Sequence, residues 1–307
     1  MTTETRTSVA DKPVVIGVQV NENTMRTPNP HIPWTPEEIG DIAQASQDAG
    51  ASLIHFHGRT ADGGADHSAE TYGAIIERIR AVSELLLAPS LANVPGHTVE
   101  QRLSNLLPHH QDPNTRSDFL VIDMGCAAMD LIDSASGRYV TDSKTYLNDT
   151  RTQTELLDRA AELELTPYMA SFNVSWTRAI VNHARSRGLA LPLVVAFVLG
   201  GDEFPAAHPA SAAGLRAQLD LLPPDLPIEP IVSAYRGNVL EAAEESIKRG
   251  GHVAIGAGDH HYAELGYPST PELVRRVADI ARRYGRAPAT PEQARRILGV
   301  KAHARSR

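Results

Sequence analysis

Short apolar runs alternate with longer amphipathic stretches along almost the whole chain. The runs cover residues 14–20, 52–56, 85–91, 119–124, 166–172, 191–199, 228–234 and 252–256. Each is nearly continuous in Val, Ile and Leu, the pattern of strands buried on both faces. Between them, helical spacing of apolar positions predicts helices over 36–49, 69–82, 98–107, 151–163, 175–187, 210–222 and 239–249, followed by 271–284 and 291–298. Thr35, Thr270 and Thr290 each precede a proline, which places a capping hydroxyl ahead of a first helical residue that needs no N–H. Gly50, Gly188 and Gly250 follow helical stretches where a left-handed residue would end them. Eight strands separated by helices imply parallel pairing through right-handed crossovers. The expected fold class is therefore α/β, a (β/α)8 TIM barrel, with an open doubly wound sheet as the alternative. A single barrel domain is expected over 13–307, after a disordered tail over 1–12. Residues 130–150 form the longest irregular segment, and loops of that length usually serve function or subunit contact.

Composition narrows the classes. The chain holds 29 basic and 37 acidic residues, a net charge of −8, which argues against a nucleic-acid or anionic-membrane partner. Its one cysteine, Cys126, excludes an intrachain disulfide framework and reads as a small buried filler rather than a nucleophile. Trp34 and Trp176 read as packing residues. No apolar run approaches the roughly 20 residues that span a bilayer, and no basic segment leads into an apolar one. A soluble cytoplasmic protein is expected.

In a barrel of this kind the active site gathers at the C-terminal ends of the strands. Polar residues stand where the apolar runs stop: Glu22 after the first, His55, His57 and Arg59 at the second, Ser90 and Asn93 at the third, and Asp123 at the fourth. Asn173 follows the fifth, Ser233 and Arg236 the seventh, and Asp259, His260 and His261 the eighth. Residues two apart on a strand face one side, so the imidazoles of His55 and His57 can reach one point. Neutral imidazole is a common ligand for zinc and similar divalent ions. A hydrogen-bonded histidine pair in a polar mouth is the alternative. The chain has no phosphate-binding G-x-x-x-x-G-K-[ST] loop and no G-x-G-x-x-G after the first strand, so nucleotide-fold readings lose support.

These residues sit among longer ordered matches. They include Thr35-Pro36-Glu37-Glu38-Ile39, the stretch from Ala49-Gly50-Ala51 to His55-Phe56-His57-Gly58-Arg59, Phe197-Val198-Leu199-Gly200 and Gly250-Gly251-His252-Val253. A last match is Pro291-Glu292-Gln293-Ala294-Arg295-Arg296-Ile297-Leu298. Together they resemble the β-keto acid cleavage enzyme family over about 13–300. The resemblance implies a zinc-bearing TIM barrel, usually a homotetramer, that converts a β-keto acid and acetyl-CoA into a new CoA thioester and acetoacetate. It matches His55 and His57 to two metal ligands, Arg59 to the arginine after them, Ser90 to a substrate-binding hydroxyl, Glu22 to the acid after strand one, and Asp259 to the catalytic aspartate.

Two positions depart from the family pattern. Ala254 stands where the resemblance implies a catalytic arginine, and Gly258 where it implies a glutamate ligand. His260 lies two positions beyond Gly258, so an extended strand end would turn it to the same side. The expected metal set is therefore His55, His57 and His260. Asp259 is the expected general base, with Glu22, Arg59 and Arg236 as further catalytic residues and Ser90, Asn93, Asp123, Asn173 and Ser233 as substrate contacts. A shell of three imidazoles would make the ion a stronger Lewis acid. That favours, as an alternative, CoA-independent hydrolysis, decarboxylation or isomerisation of a small carbonyl compound. A non-catalytic binding barrel is the third reading.

Overall fold

All eight apolar runs form strands in a computed structural model, which describes residues 11–22 and 25–302. The expected tail over 1–12 lies outside those residues apart from Asp11 and Lys12. The strands are β1 (Ile16–Gln19), β2 (Leu53–Phe56), β3 (Leu86–Pro89), β4 (Phe119–Asp123), β5 (Thr166–Ser171), β6 (Leu193–Gly200), β7 (Ile228–Tyr235) and β8 (His252–Ile255). Every recorded pairing among them is parallel, in the spatial order β3-β2-β1-β8-β7-β6-β5-β4. Asp118 joins the two end strands of that order: its N–H donates to Leu87 O at 3.0 Å and its carboxylate accepts from Leu87 N at 2.8 Å. The result is a nearly closed eight-stranded barrel.

Helices fill the connections: α1 (Pro36–Ala49), α2 (Ala69–Val82), α3 (Val99–Arg102), α4 (Thr150–Glu162), α5 (Val174–Arg187), α6 (Ala212–Leu219), α7 (Leu240–Lys248), α8 (Thr270–Arg283) and α9 (Pro291–Ile297). Thr35 and Thr290 cap α1 and α9 with complete capping boxes. The cap of α8 is Ser269 rather than the expected Thr270. Thr270 Oγ1 instead accepts from Ala257 N at 3.2 Å, tying the helix to the turn after β8. The stretch expected to be helical over 98–107 yields only one α-helical turn, because buried Asn105 turns inward to donate to Ser90 O and Pro108 follows. No helix among the described residues is long and apolar enough to cross a membrane.

Two apolar clusters hold these layers. One lies between strands and helices and includes Ile54, Phe56, Ile75, Leu120, Val253 and Val277. The other fills the barrel with alternate strand residues, among them Leu53, Leu86, Phe119, Tyr168, Val194 and Ile231. Nearer the C-terminal ends the inward positions shrink to Val121, Ala170 and Ala196, all of which line a cavity of about 400 Å³. Small side chains there leave the space that a packed layer would occupy. The long segment after β4 closes one side through an antiparallel pair, Ala127–Ala128 with Thr145–Tyr146.

Candidate active site

The cavity opens where sequence placed the site. Glu22, at the end of β1, faces both histidines of β2: Oε1 is 2.9 Å from His55 Nε2 and Oε2 is 2.6 Å from His57 Nε2. Both contacts are short and lie in the partly buried mouth of the barrel. One ligand atom from each of the three residues lies within 4.8 Å of the others. His55 Nδ1 contacts Ala88 O at 2.5 Å, so Nδ1 carries the proton and the lone pair of Nε2 points at the carboxylate. Two lone-pair-bearing atoms this close require a positive charge between them, either a shared proton or a cation. Burial works against ionisation of Glu22, but the imidazoles of His57 and His55 outweigh it and hold the carboxyl well below its usual range. Burial likewise opposes the charged form of His55, and the Glu22 charge raises it in spite of that.

Asp259 lines the same cavity and is buried. Burial first, then the charge of Glu22, pushes its carboxyl well above the ordinary range. Tyr168, from β5, lines the cavity too, and burial together with the charge of Asp259 raises its phenol. Ser90 reaches the cavity with its hydroxyl 2.5 Å from Tyr72 OH. Asp123 and Asn93 are also in the lining, joined through a residue that sequence reasoning missed, Tyr146. The segment that carries Tyr146 stood out as long and irregular; nothing in its composition marked the tyrosine.

Other expected site residues lie elsewhere or are engaged. Arg59 lines the cavity, but its guanidinium donates to the backbone carbonyls of Asn21, Glu22 and Gly63, so it shapes the β1 end. Arg236 turns its guanidinium away to Glu203, 2.7 Å off, and only its backbone N–H reaches Asp259 O, at 2.9 Å. A left-handed backbone at Arg236 (φ 56°) aims the side chain outward. Asn173 caps α5 by accepting from Ser175 N and Trp176 N, and it borders an open hollow beside Cys126. Cys126 itself is exposed, not the buried filler expected. Ser233 is buried on β7 with no partner for its hydroxyl and does not line the cavity.

Residues 13–300 match the family model of the beta-keto acid cleavage enzyme. The chain belongs to this family. A 3-keto-5-aminohexanoate cleavage enzyme of Acetoanaerobium sticklandii is 30% identical over 281 residues, 89% of this chain and 92% of that protein. A 3,5-dioxohexanoate:acetyl-CoA acetone transferase of Paraburkholderia graminis is 26% identical over 317 residues, 96% of this chain and 99% of that one. Among solved structures, apo ObcA superimposes with a TM-score of 0.68 at 16% identity, over 88% of this chain and 66% of that chain. At that identity the likeness speaks for the barrel fold.

His260 does not join the histidine pair: its Nε2 sits 3.3 Å from Glu264. The expectation assumed an extended strand end, whereas β8 stops at Ile255 and residues 257–259 form a turn, so period-two alternation no longer applies. Gly258 has a second role in the geometry. A Cβ there would lie 2.4 Å from Asn21 N and 2.8 Å from Glu22 N. With no side chain at 258, the end of β1 lies directly against the turn and Glu22 reaches the histidines. The end of strand one thus brings a carboxylate to the two histidines of strand two.

Proposed function

We propose that the chain is a metal-dependent enzyme that exchanges carbon–carbon and thioester bonds between a β-keto acid and acetyl-CoA. The products would be a new CoA thioester and acetoacetate. The observation that carries this reading is the convergence of Glu22, His55 and His57 in the barrel mouth, where one ligand atom from each lies within 4.8 Å of the others. A donor set of two imidazoles and one carboxylate suits zinc or a similar divalent ion and leaves a position open. Family membership and the activities named for the relatives support the substrate class.

When bound, such an ion would supply a Lewis acid that stabilises negative charge on a substrate carbonyl oxygen. The chain's own residues do the rest. The Ala88 carbonyl fixes the His55 ring so that Nε2 faces the cavity. Asp259 is the base for the proton on C2, between the keto and carboxylate groups. Its burial and raised proton affinity suit it to that task. The resulting carbanion attacks the acetyl carbonyl and expels CoA thiolate, which then takes the original acyl group and releases the carbanion of acetoacetate, and this recovers the proton held by Asp259. R–CO–CH2–COO⁻ and acetyl-CoA so become R–CO–S-CoA and acetoacetate, with no oxidant or reductant. Small walls at Val121, Ala170 and Ala196 leave room for both partners to meet at that carbon.

The test is metal-loaded protein incubated with acetyl-CoA and a panel of β-keto acids, with products read by mass spectrometry. Thioester and acetoacetate in equal amounts are expected. Turnover of a keto acid that is unaffected by omitting acetyl-CoA would contradict the proposal and favour the CoA-independent reading.

A further inference from the structure

The proposed exchange develops negative charge on two carbonyl oxygens in turn, and the candidate metal ligands account for one. The keto acid's oxygen would face Glu22, His55 and His57, at the ends of β1 and β2. The thioester oxygen of acetyl-CoA needs a donor of its own, placed where C2 of the keto acid meets it. Across the cavity stands a side chain that the steps above leave unused. Tyr168 lies on β5, three strands round the barrel from both β2 and β8. It faces the histidines and Asp259 from the opposite wall.

Tyr168 is built into the floor. Its backbone pairs with Val121 on one side and Val194 on the other, and its ring packs edge-on to Phe119 with centroids 5.7 Å apart. The next inward position along β5 is Ala170, beside Ala196 of β6. Both are small, so the space above the phenol stays open and belongs to the cavity. Tyr168 is only 7% exposed, yet its hydroxyl makes no hydrogen bond to any of the described residues. A buried hydroxyl left short in this way is available to a ligand. Burial first, then the charges of Asp259 and Glu22, keep the proton on the phenol, so toward an anionic oxygen it acts as a donor. Other donors in the lining serve a different wall. Ser90 and Asn93 stand at the end of β3, next to the histidine strand, with Ser90 paired to Tyr72 and one amide N–H of Asn93 given to Tyr146. The second amide N–H of Asn93 belongs to that same wall.

We infer that Tyr168 is a catalytic residue of the proposed exchange, donating its phenolic hydrogen bond to the thioester carbonyl oxygen of acetyl-CoA. The inference rests on the proposed function and adds the group that answers the second carbonyl. CoA is far longer than a cavity of about 400 Å³ and must trail out through the mouth. A bound acetyl group therefore carries its sulfur outward and its oxygen toward the floor. When the C2 carbanion attacks, a carbon–carbon bond forms and the carbonyl π pair moves onto that oxygen. The Tyr168 O–H stabilises it there without giving up its proton. Collapse returns the pair to carbon and expels CoA thiolate. One carbonyl is served from β1 and β2, the other from β5, and the two partners meet between them.

Isotope-edited infrared spectroscopy reads this without turnover. Metal-loaded protein is given malonate, which grips a metal through two oxygens as a β-keto acid does but has no ketone to react. Acetyl-CoA carrying carbon-13 at the thioester carbonyl is then added. In the parent the carbonyl stretch should move to lower wavenumber than in free acetyl-CoA, and Tyr168→Phe should lose most of that shift. In steady-state turnover Tyr168→Phe should lower kcat by roughly 10²-fold and leave KM for the keto acid near the parent's, with the thermal transition confirming the fold. No shift in the parent, a shift retained in Tyr168→Phe, or an unchanged kcat would overturn the inference. A parent that makes thioester without the shift would sink the inference and leave the exchange reading standing. A shift that depends on Tyr168, with no thioester formed in the assay above, would count against the exchange reading alone.

Discussion

At the N-terminal end of the barrel, Asp118 accepts from Leu87 N at 2.8 Å, from Arg80 at 2.9 Å and from Arg295 at 2.8 Å. At the opposite end, the Glu22 carboxylate faces the imidazoles of His55 and His57, at 2.9 and 2.6 Å. The contrast extends to their neighbours. Arg286, buried beside the start of β1, donates to the carbonyls of Lys12, Pro13, Ile247, Gly250 and Gly251. His252, at the start of β8, accepts from Val15 N at 3.0 Å and has Glu229 at 3.0 Å on its other nitrogen. Asp259, buried at the mouth, is held by its backbone, and burial drives its carboxyl upward. Buried groups that find all their partners at home contribute to stability, and those left short are available to a ligand. One end locks the barrel; the other is built to be completed.

The largest effect should come from the mouth. His55→Ala is expected to lower turnover by roughly 10³-fold or more, because carbonyl polarisation and substrate placement depend on one point. Its unfolding free energy should stay within about 1 kcal/mol of the parent, since removing strained function seldom weakens the fold. Denaturant titration alongside steady-state kinetics checks both halves, and a large loss of stability would erase the distinction between the two ends.

Asp118→Ala should do the reverse. It strands the guanidinium groups of Arg80 and Arg295 and the Leu87 N–H, and opens the β3–β4 seam. Breaking a buried pair on one side typically costs about 3–5 kcal/mol. Denaturant midpoints should show that loss, while the folded fraction keeps its turnover. Burial opposes ionisation of Asp118, yet Arg80 and Arg295 hold it below the ordinary carboxylate range, so the carboxylate is the form the seam requires.

A smaller, pH-dependent effect belongs to His252. Burial, acting chiefly by desolvation, lowers its imidazole from 6.5 to about 4. The Val15 N–H already donates to Nδ1, so a second proton there would set two donors face to face. The folded ring therefore stays neutral where the unfolded one takes up a proton. Its contribution is complete above about pH 6.5 and is lost as pH falls toward 4, by roughly 3 kcal/mol in all. Unfolding free energies measured across that window should fall for the parent and flatten for His252→Gln. A parent curve that stays level would show that the ring protonates without cost.

Much of this was legible from residue order. The eight strands follow directly from continuous apolar runs, since a parallel strand buried on both faces has no polar face to blur the signal. The pairing of His55 with His57 is equally local, because it needs only the strand's period of two. His260 was misplaced for the same reason: the period was carried past Ile255 into a turn that sequence did not reveal. Glu22 was marked as an acid after strand one, but its approach to the histidines depends on the empty Cβ position at Gly258, a contact between residues far apart in the chain. Tyr146 depends on how a hairpin folds over the mouth, and Arg236 on a single left-handed residue. Such placements are tertiary, and local pattern carries no trace of them.

The central claim is that β1 and β2 alone supply the metal site's protein ligands. Metal content per chain, measured after zinc loading and exhaustive dialysis of the parent, Glu22→Gln and His260→Ala, addresses it most directly. The parent and His260→Ala should each retain about one equivalent, as one closed site would, and Glu22→Gln should lose most of it. Full retention in Glu22→Gln with loss in His260→Ala would contradict the account.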